Sequence, residues 1–107
     1  MQGKEITYKH KKIFYRTVGE GPAVVLLHGV PFNGELWSCQ LDAFPDYKLI
    51  VPDLPGSGDS EMIDDMSMEG LAATIRKFLS EIGLERCTII GHSMGGYVTL
   101  AFAEKYA

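Results

Sequence analysis

Residues 87–97 read Cys87-Thr88-Ile89-Ile90-Gly91-His92-Ser93-Met94-Gly95-Gly96-Tyr97, and this stretch decides the fold. Residues 87–90 form a short apolar, β-branched run of the kind shown by a strand buried on both faces. Residues 97–106 are rich in Ala and Leu and read as a helix. Between them lies Gly91-His92-Ser93-Met94-Gly95, a G-x-S-x-G pattern in the strand–turn–helix context its chemistry requires. A serine on so sharp a turn sits in strained backbone, and side chains two residues to either side of it would clash. Both of those places therefore want glycine. The turn presents the Ser93 hydroxyl at the carboxyl end of the sheet. It also sets the Met94 amide at the start of the following helix, where a developing oxyanion is stabilised. Ser93 is thus the candidate nucleophile and Met94 a candidate oxyanion donor, with Gly91, His92 and Gly95 supporting the elbow.

Working outward, Ala23-Val24-Val25-Leu26-Leu27 is a second doubly buried strand, ending in the loop His28-Gly29-Val30-Pro31. Residues 47–51 are a third, closed by Pro52 and followed by Asp53-Leu54-Pro55-Gly56-Ser57-Gly58-Asp59-Ser60. Residues 5–18 alternate Ile6, Tyr8, Ile13 and Tyr15 with polar residues around a polar break at 9–12, which suits an antiparallel hairpin. Gly19-Glu20-Gly21-Pro22 is a turn. Residues 36–44 read as a short helix. A longer helix begins at the N-cap Ser67 with Glu69 in its first turn, carries Leu71, Ile75, Phe78, Leu79 and Ile82 on one face, and ends at Gly83. Buried strands alternating with helices predict an α/β fold, a mostly parallel sheet flanked by helices on both faces. Three loops then meet at the carboxyl ends of the strands, where open α/β sheets bind ligands.

The chain has 107 residues, at most one domain. With 46% hydrophobic residues it is too apolar to be disordered. Ten basic against fourteen acidic residues leave a net charge of −4, which argues against a nucleic-acid partner. No apolar run approaches the ~18 residues of a membrane span, and Met1-Gln2-Gly3-Lys4-Glu5 does not open a signal peptide. Cys39 and Cys87 match no metal spacing and read as apolar fillers in a cytoplasmic protein, with no metal or cofactor implied. Gly56-Ser57-Gly58 lacks the spacing of a phosphate-binding loop. Asp53 and Asp59 suit turn and cap roles. His10 falls in the polar hairpin.

The run Val24-Val25-Leu26-Leu27-His28-Gly29, the D-x-P-G-x-G-x-S loop at 53–60, and Gly91-His92-Ser93-Met94-Gly95-Gly96 resemble the N-terminal half of an α/β-hydrolase fold enzyme. The likeness extends over essentially the whole chain. The subgroup resembled is that of single-domain esterases, lipases and carbon–carbon hydrolases with an H-G-x motif. The resemblance implies Ser93 as nucleophile and the backbone amides of Val30 and Met94 as oxyanion hole. It implies a structural His28 whose ring bonds to loop backbone beside Gly29, and Phe32 and Trp37 as pocket or packing residues. The implied substrate is a small-molecule carboxylic ester, thioester or related carbonyl compound, turned over by acyl-enzyme chemistry without a cofactor.

In that family the acid and the histidine base follow the nucleophile in chain order. Fourteen residues follow Ser93, none of them Asp or His, and all three histidines (His10, His28 and His92) precede it. Glu104 stands roughly three turns along the helix, at 1.5 Å per residue. Residues 1–107 are therefore expected to be the N-terminal part of one domain, ending after the elbow helix, with base and acid supplied from beyond residue 107 and no activity alone. The alternative expectation is a non-catalytic interaction module, a homodimer, or half of a split hydrolase completed by a C-terminal half through an exposed sheet edge.

Overall fold

The structure, a computed structural model, describes residues 2–28, 46–56 and 58–106. β1 (Gln2–Tyr8) and β2 (Lys11–Val18) form a hairpin, β3 (Ala23–Leu27) and β4 (Lys48–Pro52) follow, and α1 (Met68–Glu81), β5 (Thr88–Gly91) and α2 (Met94–Tyr106) complete the chain. The sheet order is β1-β2-β4-β3-β5. β3 pairs in parallel with both β4 and β5, while β2 joins β4 antiparallel. The sheet is thus the mixed, mostly parallel one expected, with its antiparallel N-terminal hairpin. The chain passes from β3 to a neighbour on one side and then, through α1, to a neighbour on the other. β3 is therefore a topological switch point, and the crevice beyond its carboxyl end is where such sheets take ligands.

Alternation along the strands sorts the core into two layers. Val25, Leu27 and Ile50 share one cluster with Leu71, Ile75 and Phe78 of α1 and Val98 of α2, so both helices lie on that face. Val24, Leu26, Leu49 and Val51 are buried on the other. The helix expected at 36–44 lies outside the described residues. Phe78 packs its ring edge-on against Tyr15 at 5.0 Å, locking α1 to β2; burial of such a side chain is worth about 1.5–3 kcal/mol.

α1 begins and ends where its caps dictate. Ser67 Oγ accepts from the Gly70 amide at 3.0 Å and donates to Asp65 Oδ1 at 2.6 Å. At the other end Gly83 is left-handed (φ +79°), its amide donates to Ser80 O, and the Leu84 amide donates to Leu79 O at 2.9 Å, the paired bonds of a Schellman cap.

Beyond one-residue shifts at β4 and β5, three boundaries differ from the sequence reading. β1 starts at Gln2 rather than residue 5, because an exposed edge strand needs only the ladder to β2 and no apolar pattern. The hairpin turns on Lys9-His10 alone, both at positive φ (49° and 66°), the two-residue primed turn that matches strand twist without its usual Asn-Gly. α2 starts three residues early, at Met94, because Gly95 and Gly96 donate to His92 O and Ser93 O and carry the helix into the elbow; glycine's low helix propensity hides this in the sequence.

Candidate functional site

β5 delivers the chain to the carboxyl edge of the sheet, and Ser93 follows it at φ +56°, an exposed non-glycine residue in left-handed backbone. Such a conformation costs about 1–3 kcal/mol and persists where surrounding structure over-determines it. The surroundings here are backbone. Leu27 is in register with Gly91, and the His92 amide donates to Leu27 O at 2.9 Å. A Cβ on Gly91 would strike the Gly95 carbonyl and Thr99 Oγ1. A Cβ on Gly95 would strike the Leu27 carbonyl and stand 2.7 Å from His28 O. The elbow therefore closes only because both positions lack side chains, and it seats directly on the end of β3. Met94 is the first residue of α2, so its amide has no acceptor within the helix and stands next to the serine in sequence.

His28, the first residue beyond β3, is completely buried. Its Nε2 accepts from the Leu54 amide at 2.8 Å, a bond from the end of one parallel strand to the loop after the next. With that nitrogen engaged, the imidazole is not available through Nε2 as a base for Ser93. Gly29, Val30, Phe32 and Trp37, and with them the second oxyanion donor and the pocket residues expected from the sequence, lie outside the described residues, as does Cys39.

The loop after β4 holds what the sequence reading missed. Asp53, assigned there a turn or cap role, is fully buried and pairs with Arg16 of β2, NH1 to Oδ1 at 2.7 Å. Its Oδ2 accepts from the Asp59 amide at 3.0 Å. Ser60 Oγ donates to Asp53 O at 2.5 Å and accepts from the Phe14 amide at 2.8 Å. The one available signal was an arginine inside a strand otherwise read as half-buried.

No group of His, Cys, Asp and Glu able to hold a metal occurs among the described residues. Nor, among them, is there a helix long and apolar enough to cross a membrane. Cys87 is part-buried, and desolvation raises its thiol above the ordinary 9.0, which leaves it mostly protonated and a weak nucleophile near neutral pH.

A groove of about 940 Å³ lies away from the elbow, toward the start of β5. Its lining includes Leu79, Leu84, Cys87, Ile89, Phe102 and Tyr106. Among the described residues β5 has β3 as its one strand neighbour, so its other side is the sheet edge. The elbow and this groove are thus in different places.

A sharp strand–turn–helix at the switch point of a mostly parallel sheet defines a class, and comparison with known proteins bears on it directly. The alpha/beta hydrolase fold family matches residues 22–107, and the chain belongs to that family. It is 33% identical to Epoxide hydrolase 3 of Xenopus tropicalis over 94% of this chain and 30% of that protein. Among solved structures it superposes on the N-acyl homoserine lactonase AidH with a TM-score of 0.91 at 28% identity, covering 99% of this chain and 41% of that one. It superposes on a thermophilic esterase from Thermogutta terrifontis with a TM-score of 0.86 at 34% identity, over 99% and 42%. The chain spans between 18% and 35% of the length of these and similar curated relatives.

Proposed function

We propose that this chain is the nucleophile-bearing part of a serine hydrolase acting on a carboxylic ester, lactone, thioester or related carbonyl compound. The observation that carries the reading is the left-handed, exposed Ser93 between β5 and α2. Ser93 Oγ attacks the carbonyl carbon and forms the acyl-enzyme. The Met94 and Val30 amides receive the oxyanion, each such donor being worth ~10²–10³ in rate. A histidine base and its acid partner, from polypeptide outside these 107 residues, take the Ser93 proton and pass it to the leaving group.

Bond chemistry narrows the substrate class among the relatives' named activities. A serine oxygen that opened an epoxide would be left as an alkyl ether, which water does not cleave under enzyme conditions, so the nucleophile would be spent after one turnover. An acyl-serine is an ester and hydrolyses. Ser93 therefore fits the lactonase and esterase relatives rather than the epoxide hydrolases.

By itself the chain is expected to hydrolyse p-nitrophenyl acetate no faster than its Ser93→Ala variant, since an unassisted serine hydroxyl is a poor nucleophile. Substituted for the matching part of the Thermogutta terrifontis esterase, it is expected to label with a fluorophosphonate at Ser93. A folded chimera that labels equally with Ser93→Ala would overturn the reading.

A second reading, a binding module or one half of a split hydrolase, draws on the β5 edge, which has no second strand neighbour among the described residues, and on the groove beside it. A monodisperse dimer in sedimentation, with no labelling of the chimera, favours that reading.

A further inference from the structure

The loop after β4 carries more bonding than a turn needs. Asp53 is held at four points at least: its amide donates to Phe14 O at 2.9 Å, its carbonyl accepts from Ser60, Oδ1 takes Arg16 and Oδ2 takes the Asp59 amide. Two of these partners come from β2 and two from the far end of the same loop. A buried ion pair is seldom retained for stability, because desolvation cancels most of its attraction and apolar replacements often serve as well. What the four bonds do determine is direction. The peptide immediately after Asp53 aims the Leu54 N–H at His28 Nε2. An accepting Nε2 puts the neutral ring's proton on Nδ1. The carbonyl of His28 in turn lies where a Cβ on Gly95 would stand 2.7 Å away. A contiguous path thus runs from Arg16 through Asp53, Leu54 and His28 to the elbow.

We propose that the buried Arg16–Asp53 pair is a positioning device for His28, pinning Asp53 so that the Leu54 amide fixes the tautomer and orientation of the imidazole of the residue whose backbone carbonyl the elbow approaches. This rests on the reading of that sheet edge as the site, but its readout requires no reaction at Ser93, so the two can fail separately.

The test is nitrogen-15 NMR of the histidine rings, with hydrogen exchange at Leu54, on the full chain. The wild type is expected to show His28 with Nε2 unprotonated and a protected Leu54 amide. Arg16→Met combined with Asp53→Leu removes both charges and is expected to fold, its α1 and β3 amide signals in place. In it His28 loses its single tautomer and Leu54 exchange accelerates at least about tenfold. Arg16→Lys keeps the charge and is expected to retain the wild-type ring signals. A folded double variant with His28 and Leu54 unchanged overturns the proposal. Should the double variant not fold, Asp53→Asn, which keeps acceptor oxygen and volume but not the charge, makes the same comparison with the same two outcomes.

Discussion

Two loops leave parallel strands at the same edge of this sheet and are held there by opposite means. After β5, the turn around Ser93 is held by what is missing: Gly91 and Gly95 let the backbone of the elbow press against Leu27, His28 and Thr99. After β4, the loop from Asp53 to Ser60 is held by what is present, a buried charge pair and a hydroxyl reaching across to β2. The first mechanism is local and tolerates almost no side chain. The second is a long-range network, in which the identity of a partner 37 residues away matters. A loop built by exclusion breaks when atoms are added, and a loop built by pairing breaks when one partner is removed.

The sharpest way to break the second loop is therefore Arg16→Met alone. It leaves the Asp53 carboxylate buried without its guanidinium and is expected to cost about 3–5 kcal/mol in urea denaturation. A cost under about 1 kcal/mol would mean the pair is not what holds the loop. The first loop should break under Gly95→Ala, a single added methyl group, by about 3 kcal/mol. Its neighbour in the same motif is the control. A Cβ on Gly96 meets nothing nearer than 3.7 Å, so Gly96→Ala is expected to be neutral or to gain up to about 1 kcal/mol from helix propensity. Equal losses at Gly95 and Gly96 would refute the exclusion argument.

Smaller effects fall outside the two loops and calibrate them. Ser67→Ala removes the N-cap of α1 and is expected to cost about 1 kcal/mol. The same substitution alters the acid limb. Hydrogen bonds from the Ser67 hydroxyl and amide hold the exposed Asp65 carboxyl below its ordinary 3.8. A depressed carboxylate contributes stability that is present above the ordinary value and lost as pH falls through the lowered one. The difference in stability between wild type and Ser67→Ala should accordingly narrow below about pH 3.8, as read by denaturation at a series of acidic pH values. A difference that stays constant down to the acid limit would show that the cap alone, and not the Asp65 charge, is at work.

The contrast between the loops also explains what could be read in advance. β3 and β4 were legible because parallel strands covered on both faces need unbroken aliphatic runs, and Val24 through Leu27 and Leu49 through Val51 are such runs; β5, read from the same kind of run as doubly buried, is only part-buried, with Thr88 exposed, because among the described residues it pairs with β3 alone. α1 was legible from its stripe and from Ser67 and Gly83, whose capping chemistry is local. The elbow was legible because a left-handed serine between two close approaches demands glycine at fixed offsets. What periodicity could not reveal was structure lacking an apolar signal: the Gln2 end of β1, the Lys9-His10 turn, and the helical turn hidden in Gly95-Gly96.

The family, the strand–turn–helix around Ser93 and the glycines that make it possible follow from local sequence, because each depends on residues within a few positions of one another. That Arg16 faces Asp53, that Ser60 bridges β2 to the loop after β4, and that the Leu54 amide meets His28 emerge first in three dimensions. Those contacts join residues 26 to 46 positions apart, and their partners are chosen by sheet order and register, which no local pattern encodes.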